Sequence, residues 1–128
     1  MEVLRKLFEA WNRQDFDGLL RYFDSAVEFH PGLVPPGEGT EYRGREGVMD
    51  WTRAVDDAWE RVTVEPGQRI DVANDRILAI DRWRFAGRDG IQVEEELPTA
   101  FTFLDGLIVR VDGFTDKAEA LEAAGLSE

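Results

Sequence analysis

The sequence predicts an α+β domain, with helices gathered in its amino-terminal half and a long-stranded antiparallel sheet in its carboxy-terminal half. Three observations predict it. Apolar residues recur at helical spacing up to about Glu60. Beyond Arg61, β-branched and aromatic residues alternate in four runs marked by PG, ND, GRDG and DG turn signals. The chain has 128 residues, 43% of them hydrophobic, which suffices for one core without disulfide staples, and it contains no Cys.

Taken in order, Val3, Leu4, Leu7, Phe8 and Trp11 form the apolar stripe of a first helix, with Glu2, Arg5, Lys6 and Glu9 opposite. NRQDF interrupts it. Asp15 can then cap a second helix whose buried stripe is Phe16, Leu19, Leu20 and Phe23. A short strand is expected at Val27 to His30. The segment PGLVPPGEGTEY, dense in Pro and Gly, follows as a loop long enough to be a lid or the rim of a site. From about Arg45 to Glu60, the spacing of Val48, Trp51, Thr52, Val55 and Trp59 predicts a third, longer helix.

The four alternating runs span approximately Val62 to Val72, Arg76 to Phe85, Ile91 to Leu104 and Leu107 to Phe114, and read as a meander. Asp116 and Glu119 outline a capping box for a last helix ending near Gly125. Long strands bent around the helices leave a cone, and their inward side chains must fill it or line a cavity. The whole chain, 1–128, reads as one domain.

Charge narrows the partners. Lys and Arg number 15 against 27 Asp and Glu, so the formal charge is 15 − 27 = −12. Such a chain repels phosphate backbones and anionic lipid surfaces, which disfavours nucleic acid and membranes as partners. No apolar run approaches the roughly 18 residues of a membrane span, and MEVLRKLFEAW does not build a signal peptide, so a cytoplasmic protein is expected. The glycines form no phosphate-cradling motif. The run Glu94 to Glu96 alternates across a strand, so its carboxylates cannot converge. Neither a cofactor nor a metal is expected.

The segments AWNRQDFDGLLRYFDSAVEFHPG, YRGREGVMDW and FTFLDGLIVRVDGFTDKAEALEAAGL resemble the nuclear-transport-factor-2-like superfamily, and within it the SnoaL-like polyketide-cyclase proteins. The resemblance covers nearly the whole chain. It implies a cone-shaped, curved sheet wrapped around the amino-terminal helices, of the cystatin-like α+β barrel type, in a superfamily that includes isomerases, cyclases, epoxide hydrolases, dehydratases and proteins without known activity. The steroid isomerases pair a carboxylate base with a Tyr and a protonated Asp as oxyanion donors. Laid on this chain, the base falls at His30, the Tyr at Leu7 and the Asp at Ala100, so both donors are missing. Of the epoxide-hydrolase pattern, two aspartates bridged by an arginine, Arg110 and Asp112 are present on one strand, with Asp81 or Glu95 as the second carboxylate.

The residues themselves nominate the same groups. His30 is the one side chain whose ordinary pKa, about 6.5, lies near neutrality, and it precedes the long loop. Glu95 stands in the row Val93, Glu95, Leu97, Thr99, Phe101, Phe103, and Asp81 in the row Ile77, Ala79, Asp81, Trp83, Phe85. If those rows face the cone, each carboxyl could be tuned to general acid–base work; otherwise they pair with Arg82, Arg84 or Arg110 at the surface. Ile108, Arg110, Asp112 and Phe114 share a face on strict alternation, so Arg110 could polarise a substrate oxygen while Asp112 acts as base or orients His30. Alternatively the two make an ordinary outer-face ion pair.

Phe29, Trp51, Trp83 and Phe101 are candidate walls for a flat ligand, and equally candidates for plain core, while Tyr42, like Arg110, is a candidate ligand for a substrate oxygen. Two functions are therefore expected from the residues. One is a cofactor-free acid–base enzyme (isomerase, cyclase, dehydratase or hydrolase in type) acting on a small hydrophobic oxygenated molecule. The other is a non-catalytic ligand-binding or interaction module of the same fold. A homodimer is expected through the outer sheet face, where Leu78, Ile80 and Val109 stand among charges.

Overall fold

A computed structural model describes residues 2–32 and 41–125. Helix α1, Glu2–Asn12, buries Leu4, Leu7, Phe8, Ala10 and Trp11, while Arg5 on the other side donates to Glu2 and Glu9. Helix α2, Phe16–Leu19, is a single turn begun by Asp15, whose Oδ1 accepts from the Gly18 N–H at 3.0 Å. A 3₁₀ turn, Leu20–Tyr22, leads into strand β1, Phe23–His30. Phe23, expected in the helix stripe, instead opens this strand opposite Ile108. Sheet pairing has overridden the local helical spacing.

The remaining elements are β2, Tyr42–Arg43; α3, Gly44–Ala58; β3, Arg61–Ala73; β4, Arg76–Ala86; β5, Gln92–Leu104; β6, Leu107–Gly113; and α4, Lys117–Ala123. The two-residue β2 had no signal in the sequence. The loop expected to form a lid falls mainly on residues 33–40, outside the described residues.

The strands make one open, curved sheet in the order β2-β1-β6-β5-β4-β3, an α+β cone. The four long runs form the expected antiparallel meander, but β1 lies parallel to β6, so the sheet is mixed. Helices α1 and α3 cover the inner face. Leu4, Val27, Val48, Val55 and Ile108 are at most 1% exposed there, each contributing about 1.5–3 kcal/mol by burial. Helix α1 is fastened to edge strand β3 by polar groups. The Asn12 amide donates to the Val64 carbonyl and accepts from the Val64 N–H, and the Trp11 indole donates to the Val62 carbonyl. Side-chain groups thus occupy hydrogen-bonding positions that an exposed sheet edge would present to another chain.

Backbone irregularities decide which residues face the cone. In β6 the pairing steps from Phe103↔Ile108 to Thr102↔Arg110, inserting one extra residue. Ile108 and Val111 therefore both face the core, and Arg110 and Asp112 turn to the outer face. In β3 a second bulge between Glu65 and Gln68 contains Pro66 and Gly67. It reverses the alternation, so that Val62 and Val64 point inward before it and Arg69, opposite Ala79, points inward after it.

The outer face carries its own apolar cluster. Leu78, Ile80 and Ala100 pack with Ala120 of α4, and Ile70, Val72, Phe114 and Leu121 flank them. Leu78 is 0% and Ile80 3% exposed within the single chain. Two of the three apolar residues on which the expected dimer rested are thus already covered by α4.

Candidate functional site

Inside the cone, between α1, α3 and the sheet, lies a cavity of about 70 Å³. Leu7, Phe8 and Trp11 of α1 face Val48, Trp51 and Thr52 of α3 across it, and Trp83, Leu97, Thr99, Phe101 and Val111 form the sheet side. Pro31, Gly32, Gly113 and Phe114 close one end. The close approach there is allowed only by glycine, because a Cβ on Gly113 would stand 2.1 Å from the Gly32 nitrogen.

Aromatic edges organise the walls. Phe8 meets Trp83 and Phe101 in T-shaped contacts at 6.5 and 6.1 Å, and Phe29 meets Trp51 at 5.1 Å. Of the aromatic residues expected as walls, Phe29, Trp51, Trp83 and Phe101 line the cavity. Tyr42, expected as a ligand for a substrate oxygen, does not line it; the ring packs behind Phe29 with ring centres 6.2 Å apart.

Among the described residues, none that lines the cavity has an ionisable side chain. The Thr52 hydroxyl is spent on the Val48 carbonyl at 2.9 Å, and the Trp11 indole on Val62, whereas the Thr99 hydroxyl bonds to no described residue. Thr99 is therefore the polar side chain offered to an occupant.

The four residues expected to carry chemistry lie elsewhere. His30 and Asp112 are register partners on β1 and β6, as are Phe29 and Val111, and only the latter pair lines the cavity. Alternation puts His30 and Asp112 on the opposite face. There the imidazole Nδ1 stands 3.8 Å from Glu41. Arg110 donates through Nε to Asp112 at 2.9 Å and through Nη1 to Glu28 at 3.3 Å, and Arg76 approaches Asp112 at 3.8 Å. The hydrogen bond and charge of Asp112 raise the Arg110 pKa above its ordinary value. This is an outer-face ion-pair network rather than a pocket group.

Glu95 shares a face with Trp83 but lies beyond the cover of the helices, exposed and in no ion pair with a described residue. Ala100, the position matched to the isomerase Asp donor, faces the outer cluster, while Leu7 lines the cavity.

Asp81 behaves differently from the other acids. It is 1% exposed and pairs neither with Arg82, Arg84 nor Arg110. Its Oδ1 accepts from Arg69 Nη1 at 2.5 Å and from the Gly67 N–H at 2.8 Å. The Arg69 guanidinium lies over the Phe8 ring, 5.7 Å from its centre. Arg69 escaped the sequence reading because strict alternation from Val62 turns it outward. The available signal was the Pro66-Gly67 pair inside a strand pattern, which marks a bulge as readily as a turn.

This cone, with its apolar interior and covering helices, is that of a SnoaL-like protein. A SnoaL-like domain matches residues 4–111, and the chain belongs to that family. Among solved structures, it is similar to an NTF2-like protein of unknown function from Burkholderia pseudomallei K96243, at 23% identity and TM-score 0.81 over 95% of this chain and 94% of that one. It is also similar to TerC co-crystallised with polyporic acid, at 18% identity and TM-score 0.78 over 97% and 96%. A third likeness is to Rv0760c from Mycobacterium tuberculosis in complex with estradiol-17β-hemisuccinate, at 18% and 0.75 over 90% and 92%. At these identities the structures establish a shared fold. No curated protein matches the chain.

Proposed function

We propose that the cone binds a small, largely apolar molecule. The observation that carries this reading is the cavity wall: among the described residues it is mainly aromatic and aliphatic, with an uncommitted hydroxyl at Thr99 and no ionisable side chain. Binding sites for small molecules are built this way, apolar with a few placed polar groups. Ligands named in two structures of the same fold, estradiol-17β-hemisuccinate and polyporic acid, are hydrophobic ring compounds bearing oxygen. The cavity is small against the roughly 300–1,000 Å³ of typical ligand sites, so an occupant of two fused rings must displace a wall side chain.

Acid–base turnover of the bound molecule, the other expectation from the residues, is favoured by one observation: the buried carboxylate of Asp81 behind that wall. His30, Asp112, Glu95 and Arg110 are not among the described residues that line the cavity.

Trp11, Trp51 and Trp83 all line the cavity, so binding can be followed by their fluorescence. Titration with 2-methoxynaphthalene is expected to quench emission saturably, and Thr99→Phe, which fills the space, to abolish the effect with the melting temperature retained. Quenching that does not saturate, or that the substitution leaves unchanged, overturns the reading.

A further inference from the structure

We infer that Phe8 is a movable partition between the apolar cavity and the Asp81–Arg69 pair, and that this pair selects ligands carrying a neutral hydroxyl group. The inference rests on the binding reading above and deepens it.

Asp81 stands opposite Leu97 and two residues before Trp83 on the same face of β4, and both neighbours line the cavity. Phe8 completes that stretch of wall. Its ring touches the cavity and also carries the Arg69 guanidinium. Leu97 and Trp83 belong to hydrogen-bonded strands, whereas Phe8 sits on α1 and is held by edge contacts and one cation–π contact. Among these three, it is the side chain whose rotation joins the two spaces without breaking the sheet.

The pair is only half used. Both hydrogen bonds to Asp81 fall on Oδ1, and Oδ2 accepts none from a described residue although the residue is 1% exposed. Arg69 Nη1 donates to Asp81 and to the Gln68 carbonyl, while its Nε and Nη2 donate to no described residue. Hydrogen bonds to charged groups contribute more than those between neutral ones, so a ligand that donates to Oδ2 gains by it. A phenolic or enolic hydroxyl can donate to Oδ2 and accept from the guanidinium together. An ether or carbonyl oxygen can only accept, and an anion meets the carboxylate charge. The favoured class is therefore a neutral hydroxylated ring compound.

The test compares 2-naphthol with 2-methoxynaphthalene by tryptophan quenching in the intact protein, Phe8→Ala, Phe8→Leu and Asp81→Asn. In the wild type, 2-naphthol is expected to bind about tenfold more tightly, the size of one well-made hydrogen bond. Phe8→Ala and Phe8→Leu should tighten 2-naphthol further, and Asp81→Asn, which keeps an oxygen for the Gly67 N–H, should lower the preference to within about twofold. Equal binding of the two probes in all four proteins would overturn the selection by Asp81 while leaving the cavity reading intact. A preference that survives Asp81→Asn would do the same. Binding of neither probe would overturn both.

Discussion

His30 and Asp112 stand opposite each other on neighbouring parallel strands, yet both side chains lie on the face of the sheet turned away from the cavity. Their immediate predecessors, Phe29 and Val111, point into it. One residue of register thus separates a wall position from an outer-face ion network. The lone imidazole consequently has Glu41 as its charged neighbour, at 3.8 Å, rather than an occupant of the cone.

His30→Ala should leave affinity for a cavity probe within about twofold, because no lining contact is lost. The same substitution should change stability by less than about 0.5 kcal/mol, as expected for a partly exposed side chain whose contact with Glu41, at 3.8 Å, is long. Probe titration and urea denaturation of the two proteins check both expectations. Loss of probe binding in a folded variant would return the imidazole to the site.

The helices, the long strands and the cone were legible in the sequence because periodicity reports burial directly: Leu4, Leu7, Phe8 and Trp11 are spaced by helix geometry, and Leu97, Thr99 and Phe101 by strand geometry. The chemistry-bearing residues were only partly legible: Asp81 keeps the inward face its row gives it, whereas Arg69, Arg110 and Asp112 were assigned by counting by twos through an unseen bulge. One extra residue in β6 carried Arg110 and Asp112 outward while keeping Ile108 inward. Another irregularity, at Pro66-Gly67, carried Arg69 inward. Glu95 kept its face but lost its environment, because the helices do not extend over that end of β5. Face can be read locally; cover is set by the length of a distant helix.

The bulge at Gly67 supports the buried pair in two ways. Its N–H donates to Asp81, and its α-carbon lies so close to β4 that a Cβ would meet the Ile80 carbonyl oxygen at 2.3 Å. Gly67→Ala must therefore move backbone. The expected cost is on the order of 2–4 kcal/mol, in the range of substitutions that disturb packed backbone and a buried hydrogen bond. Chemical denaturation should show it, with a lower midpoint at unchanged m-value. A variant as stable as the parent would mean that the bulge relaxes freely and does not fix Arg69 and Asp81.

Helix α4 is short, yet it covers the apolar centre of the outer face. Asp116 begins it by accepting the Ala118 N–H at 2.7 Å, and Ala120, 1% exposed, seats against Leu78, Ile80 and Ala100. Without the helix, those three residues with Ile70 and Val72 become a contiguous apolar patch on a sheet, the kind of surface that drives association. Removing the chain from Asp116 onward should therefore shift size-exclusion elution toward larger species in a concentration-dependent way, relative to the full chain. Asp116→Ala, which only weakens the cap, should cost about 1 kcal/mol and leave elution unchanged. Because the patch is apolar and the truncated form still carries −12 + 3 = −9, added salt should strengthen its association by screening repulsion. Truncation that leaves both elution and melting temperature as they were would show that α4 covers nothing the sheet needs covered.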